Sequence, residues 1–384
     1  MKLKYIGSNL LLLLLLVGCA SDKTQLTDWQ LIPFTKNQGK NICLVPIPDT
    51  KFFCPIRQTF VYWEAKDVFN PATVVRNDTL FMIYRAEDEI GKYAGTSRLG
   101  LAFSTDGSNF IRHAEPVVYP NNDEYKNYEW EGGVEDPRIV ESEDGVYYLT
   151  YTAYNGDKAR LFVATSTDLR SWTKYGSIFK KYNNGELVNI WSKAGSVVCR
   201  KEGERLIATK INGKYWMFWG ESNIYMATSE NLIDWSPIEE TDTTKTVYDF
   251  IRNHRMFKTL FTPRQGMFDS GLVEPGPPAI ITPKGILFIY NSRNSDNPRM
   301  TPDSAYQPGE YTSAQILLDK DDPTVVLERA HEPFLKPDQQ SEINGQVGNV
   351  CFAEGLSFYK GKWFLYYGTA DSKIGVAQCD KLIH

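Results

Sequence analysis

The chain is poor in histidine, in paired cysteines, in runs of positive charge and in long apolar stretches. His113, His254, His331 and His384 are the only histidines in 384 residues, and none are spaced as a metal-binding pair. A zinc site is therefore disfavoured. Six cysteines occur without a single CxxC pair, which excludes zinc ribbons and dithiol redox motifs. No cofactor is called for. The net charge is −5 and no basic run exists, so a nucleic-acid groove is disfavoured as well. Helical periodicity is absent between the apolar segments, and no long apolar run follows the first residues.

Those first residues read as an address. Lys2 and Lys4 precede an unbroken apolar run from Leu10 to Val17, which is too short to span a bilayer. Leu16-Val17-Gly18-Cys19 resembles the lipobox of bacterial lipoproteins. Residues 1–18 are thus expected to be a signal peptide, Cys19 the lipidated residue and residues 19–33 a polar tether. The expected location is the cell envelope, lipid-anchored in the periplasm or on the outer-membrane face. An ordinary cleaved signal with a chance cysteine is the plainer alternative. Beyond it remain Cys43, Cys54, Cys199, Cys351 and Cys379. A Cys43–Cys54 bridge is open in an oxidising compartment, while buried free thiols are the simpler reading.

What the sequence has in quantity is aromatic residues: 22 Tyr, 20 Phe and 9 Trp, or 13% of the chain. They recur in a pattern. Aromatic strand candidates cover residues 80–85, 146–151, 214–219, 286–290 and 362–367, with starts 66, 68, 72 and 76 residues apart. Each follows a turn signal, as at Asn77-Asp78, Asn212-Gly213 and Lys360-Gly361. Each precedes another strand candidate, at 99–103, 160–164, 223–227, 314–318 and 373–377. Three of those end in a shared signature, Ser104-Thr105-Asp106 to Phe110, Ser166-Thr167-Asp168 to Trp172 and Ser229-Glu230-Asn231 to Trp235. Five copies of a β-meander predict an all-β, five-bladed β-propeller over residues 34–384. A β-sandwich would not explain so long a period. Residues 34–62 are expected to close the ring or pack against it.

The register of the repeat locates the chemistry. The segment before each aromatic strand should be the innermost strand: residues 69–75, 134–140, 273–280 and 351–356, with 206–210 assigned to the blurred third copy. Asn70, Asp136, Glu274 and Glu354 then converge at one mouth of the channel. Crowded carboxylates raise one another's pKa, which suits acid and base catalysis.

Gly132-Gly133-Val134-Glu135-Asp136-Pro137-Arg138-Ile139, Phe69-Asn70-Pro71-Ala72, Asp322-Pro323, Glu274-Pro275-Gly276-Pro277-Pro278 and the stretch from Leu365 to Ala377 together resemble glycoside hydrolase family 130. These motifs run from about residue 60 to 380. The Glu-Asp-Pro-Arg piece alone is shared with arabinan- and fructan-cleaving propellers. The resemblance implies action on β-mannosides. Most members are inverting phosphorylases, and a branch hydrolyses β-1,2-mannosidic linkages. It also implies that Asp136 is the general acid, with its proton reaching the glycosidic oxygen through a sugar hydroxyl. Asp371 matches a family position near the sugar.

The departures from the family pattern favour water over phosphate. Where phosphorylases carry a His-Arg pair around the third aromatic strand, this chain has Trp219-Gly220 followed by Glu221. Where they have a small neutral residue before Gly-Pro-Pro, it has Glu274. A phosphate between two carboxylates is repelled, whereas water can be deprotonated by one. Glu274 and Glu221 are the base candidates, Glu274 favoured by its axial register. The plainer readings are a surface acid for Glu221 and a partner of Arg264 or Arg138 for Glu274. An inverting pair should stand roughly 6.5–9.5 Å apart. Asn70, Arg85, Arg138, Lys210, Asp371 and Glu354 are expected around an oligosaccharide substrate. Tyr128, Trp130, Trp191 and Trp219 are open to sugar stacking or to core packing. Residues 291–308, rich in Asn, Ser, Asp and Pro, are expected to rim the channel. A phosphorylase and a non-catalytic glycan-binding propeller are the rival readings.

Overall fold

The computed structural model describes residues 28–37, 41–246, 248–249 and 254–382, without side chains for 248–249. The expected signal peptide and Cys19 lie outside the described residues. The architecture is all-β. Among the described residues, helix is confined to single turns, such as Lys126–Glu129 and Gln340–Ile343.

Every aromatic stretch picked out in the sequence is an inner member of an antiparallel meander. Thr79–Glu87 lies between Asp67–Arg76 and Ser97–Ser104. Tyr147–Tyr154 lies between Gly133–Glu141 and Ala159–Ser166. Lys214–Trp219 lies between Ser196–Glu202 and Ile224–Ser229. Gly285–Arg293 lies between Tyr311–Leu318 and the broken strand Leu272–Pro275 plus Ala279–Thr282. Lys362–Thr369 lies between Cys351–Tyr359 and Lys373–Cys379. Aromatic and β-branched residues suit such strands because most of these side chains are buried on both faces.

The turn residues do what their chemistry requires. Asn77-Asp78, Asn212-Gly213 and Lys360-Gly361 are two-residue hairpin loops with positive φ at both positions. That backbone matches the right-handed twist of the flanking strands. The recurring Ser-x-Asp/Asn signature is also structural. Ser104 Oγ accepts the Asp106 and Gly107 amides, and Asp106 Oδ1 accepts those of Ser108 and Asn109. Ser166/Asp168 and Ser229/Asn231 repeat the arrangement. These side chains tie down a turn that has no ladder partner of its own.

Neighbouring meanders touch in a cycle, three of the contacts joining opening strands directly. Asn70 bonds Asp136. Ile207 bridges to Glu141, and Val198 pairs with Ala279 in parallel. Asn291 exchanges two bonds with the Ala353 backbone, and Ser357 Oγ bonds Thr73 Oγ1 back at the first meander. The N-terminal strands Thr35–Lys36 and Ile42–Leu44 pair with Lys373–Cys379, so the two ends of the chain complete one sheet.

Two expectations change here, and the simpler reading of the cysteines holds. The opening strand of the third meander is Ser196–Glu202, not residues 206–210. Lys210 falls instead on the short outer hairpin beside Asn212-Gly213, exposed and over the Tyr215 ring. The expected tether overlaps packed structure, since Trp29 and Leu31 are buried in a core cluster and Gln315 holds the Leu31 backbone at 2.8 Å on both sides. Cys43 and Cys54 are not bridged; all five described cysteines are free thiols.

Candidate active site

Asn70 and Asp136 each sit where the ladder register slips by one residue, between Phe69 and Pro71 and opposite Thr150/Thr152. Both have φ of 48°, in the left-handed region. An Asn or Asp tolerates that backbone better than most residues, and the bulge turns its side chain out of the strand's alternation. Pro71 and Pro137 follow, and a proline has no amide to lose from the ladder. Glu354 marks the same kind of slip in the last meander, between Ala353 and Gly355.

Asp136 is the hub. Its Oδ1 accepts from Asn70 Nδ2 at 2.9 Å and from Arg85 Nη1 at 3.0 Å. Its Oδ2 lies 3.8 Å from Lys193 Nζ. Arg85 also reaches Glu87 at 2.6 Å, Glu135 at 3.0 Å and Ser97 Oγ at 3.0 Å. Lys193 stands 3.7 Å from Glu221 Oε1 and 3.8 Å from Glu274 Oε1. No two of the three oxygens around Lys193 can therefore be further apart than about 7.6 Å, twice the longest contact. Glu274 Oε1 accepts no hydrogen bond from the protein. Glu221 Oε2 accepts from Trp191 Nε1 at 2.9 Å.

The protons are distributed unevenly. Burial pushes Glu274 up to about 7, against the pull of Lys193 and with Glu221 adding to the rise. Burial likewise pushes Glu135 up to about 7 and Asp371 up to about 6, with Arg85 opposing in both. Asp136 goes the other way. Burial would raise it, but Arg85, then Lys193 and Arg138, hold it well below the usual carboxylate range. The expectation of mutually raised acids thus holds for its neighbours, mainly through desolvation, and fails for Asp136 itself.

Other expected residues are sorted by depth. Asp371 occupies the hairpin turn after Thr369, half-buried, within the field of Arg85 and Asp136. Arg138 and Glu354 are sealed beneath the site at 1% and 0% exposure. Arg138 donates to the carbonyls of Asp136, Pro275 and Gly276 and pairs Glu354 at 3.0 Å. They brace the floor and are closed to substrate, which corrects their assignment as sugar ligands. Lys210 is remote from the cluster, as described above. Arg264 pairs Asp269, not Glu274.

Among the aromatics, Trp219 is buried against Phe179, Tyr225 and Phe257. It is core, and sugar stacking is excluded. Tyr128 packs on Phe162, and Trp130 lies under the Arg57 guanidinium. Trp191 alone of the four is exposed, at 48%. Residues 291–293 belong to strand Gly285–Arg293, and Glu274 pairs Asn291 directly. The loop beyond is organised by Asn294, whose amide donates to the carbonyls of Asp303, Tyr306 and Gln307.

Sequence reasoning passed over Lys193 and Glu135. Lys193 stands three residues ahead of Ser196, where the opening strand of the third meander begins, as Asn70 and Asp136 lie early in theirs. Had Ser196–Glu202 been identified as that strand, its small-residue lead-in, Ala194-Gly195, would have drawn attention to the lysine.

The chain resembles known proteins along most of its length. The family model Glyco_hydro_130, described as beta-1,4-mannooligosaccharide phosphorylase, matches residues 56–384. A 1,2-beta-oligomannan phosphorylase of Thermoanaerobacter sp. (strain X514) is 32% identical over 82% of this chain and 90% of its own. A glycosyl hydrolase from Bacteroides ovatus superposes with a TM-score of 0.85 at 43% identity, covering 92% of this chain and 95% of that one. A further solved structure, described by the words "The GH130 family of mannoside phosphorylases contains glycoside hydrolases that target beta-1,2 mannosidic linkages in Candida mannan", gives a TM-score of 0.86 at 44% identity over 92% of this chain and 95% of that one. The chain belongs to glycoside hydrolase family 130, and it is an enzyme of that family acting on mannosides.

Proposed function

We propose that the protein is an inverting glycoside hydrolase that cleaves β-mannosidic linkages, β-1,2 above all, in the funnel of a five-bladed propeller. The cyclic contacts between neighbouring meanders support the propeller. The observation that carries hydrolysis is the state of the two cations beside Asp136. Arg85 is shared among Glu87, Glu135 and Asp136, and Lys193 among Asp136, Glu221 and Glu274. A phosphate dianion would have to displace carboxylates from both. Each pair of like unit charges about 4 Å apart costs on the order of 4 kcal/mol at an effective dielectric near 20. Water meets no such barrier.

In this reading Glu274 takes a proton from water, whose oxygen attacks the anomeric carbon. The glycosidic C–O bond breaks on the opposite side. At neutral pH the one proton of the pair rests on Glu274 and Asp136 is ionised, so the step runs through the minor form in which that proton has moved to Asp136; from there it passes by way of a sugar hydroxyl, as the family resemblance implies, to the leaving oxygen. A carboxylate with a pKa near 7 is an effective base at neutral pH. The upper limit of about 7.6 Å on the Asp136–Glu274 oxygen separation admits both the lower part of the roughly 6.5–9.5 Å range of inverting pairs and the roughly 5–5.5 Å of retaining ones, so inversion rests on the family resemblance. Glu221, fixed between Trp191 and Lys193, assists at the rim. Asn70, Arg85 and Asp371 hold sugar hydroxyls. The lipobox motif supports a mature chain anchored to the cell envelope through Cys19.

Phosphorolysis is the second reading, favoured by the curated relatives at 30–32% identity, which are phosphorylases. Incubation with β-1,2- and β-1,4-mannobiose, with and without inorganic phosphate, separates the two. Free mannose formed without phosphate supports hydrolysis. Mannose 1-phosphate formed only with phosphate overturns it.

A further inference from the structure

Lys193 is placed with unusual care for a loop residue. The amide of Ser192 donates to the Ala159 carbonyl at 3.2 Å, and its Oγ accepts from the Leu161 amide at 2.9 Å. On the other side the Gly195 carbonyl accepts from Thr150 Oγ1 at 3.0 Å. Ala194 between them is left-handed, with φ of 52°. The Lys193 carbonyl itself accepts the Gly220 amide at 3.0 Å. Gly220 has φ of 120°, and a Cβ there would meet the Asn223 carbonyl oxygen at 2.4 Å. The backbones carrying Lys193 and Glu221 are therefore tied to each other. The Lys193 side chain is 18% exposed.

Its ammonium stands at nearly equal distance from one oxygen of each of three carboxylates, 3.7–3.8 Å, too long for a direct hydrogen bond to any. An ammonium serving stability alone is better placed against one acceptor at about 2.8 Å. Sharing among three keeps all of them within its field while leaving each free to bond a substrate hydroxyl or water.

We infer that Lys193 is a positioning residue for the reaction, one that holds the acid and base carboxylates in a common frame and fixes how the single working proton is divided among them. The inference rests on the reading of Asp136 and Glu274 as acid and base. The groups facing Lys193 are Asp136, Glu221, Glu274 and Glu135; Tyr154, Tyr311 and Asp371 also lie within its field. Arg85 and Arg138 are the other cations acting on Asp136. Lys193 lowers Glu274 and Glu221 raises it, so removing either charge moves the base in opposite directions.

The test is the pH dependence of kcat on β-1,2-mannobiose in the full chain with K193M, K193R and E221Q. K193M is expected to lower kcat about 100-fold and to move the alkaline limb up by about one pH unit or more. E221Q is expected to move that limb down. K193R, which keeps the charge, leaves the limb near its wild-type position. An unmoved limb in K193M and E221Q overturns the inference whatever happens to kcat. Should K193M fail to fold, K193Q, which keeps a polar tip without the charge, is measured in its place. The nature of the product, mannose or mannose 1-phosphate, is read separately in the wild type, so failure of the hydrolase reading is told apart from failure of this one.

Discussion

Asn70 and Asp136 occupy equivalent bulges in successive opening strands, and the amide of the first donates to the carboxylate of the second at 2.9 Å. Arg85, from the same meander as Asn70, bonds the same oxygen, so Oδ1 of the acid is held by that meander while Oδ2 faces Lys193. Asn70→Ala removes the donor and also puts alanine at φ of 48°. We expect a stability loss of about 1 kcal/mol from the strain and a fall in kcat/KM of about tenfold or more from the lost bond. Asn70→Gly separates the two effects. Thermal melts should show stability largely restored while steady-state kinetics stay impaired.

Gly368 backs directly onto this pair. A Cβ at that position would stand 2.4 Å from Asn70 Oδ1, so the amide must move if a methyl is added. Its freedom is limited, because the same amide holds Asp136. Gly368→Ala should cost about 1–3 kcal/mol as overpacking and lower kcat/KM together with stability. Wild-type turnover in a folded Gly368→Ala protein would show that Asn70 does not orient the acid.

The proton inventory makes a pH prediction. Turnover requires one proton on the Asp136–Glu274 pair. Glu274, raised to about 7, gives that proton up as pH rises, and both carboxylates are then ionised with none left for the leaving group. Activity should fall on the alkaline side with an apparent pKa near 7. Asp136, held low, becomes protonated only in strong acid, so the acid limb should lie well below the usual carboxylate range. Glu135 titrates in the same region. Glu135→Gln should keep the alkaline limb if it belongs to Glu274, and a profile without that limb would reassign it.

Away from the site, Glu129 is fully buried, accepting from Tyr151 Oη at 2.9 Å and Lys174 Nζ at 2.5 Å. Burial raises its pKa to about 7 in spite of Lys174. The folded state then binds a proton that the unfolded chain releases above about 4.5. Its contribution is fully present below that value and declines as pH rises through 7, by on the order of 2–3 kcal/mol. Denaturant melts at pH 5 and pH 8 should show a smaller difference in Glu129→Gln than in the wild type.

The meanders were readable because their determinants are local. Alternating aromatic residues, two-residue Asn-Gly and Lys-Gly loops and the Ser-x-Asp caps act within a few residues of one another. The third opening strand was misread because Ser196–Glu202 doubles back through its antiparallel partner Arg205–Ala208 before the aromatic strand is reached, and because it carries no acid at its start. That single slip hid Lys193 and promoted Lys210. Trp219 was ambiguous because an aromatic at a strand end can face either core or channel.

From its order of residues alone the chain fixes strands, turns and the family, and it puts Asn70, Asp136 and Glu274 at the starts of strands that would meet. Those are consequences of side-chain alternation and backbone preference, which need no distant partner. Which carboxylate is charged, which cation it sees, and whether Arg138 and Glu354 face substrate or lie sealed below it were settled by folding. Such properties depend on burial and on distances between residues far apart in the chain, and these come into being when the meanders close on one another.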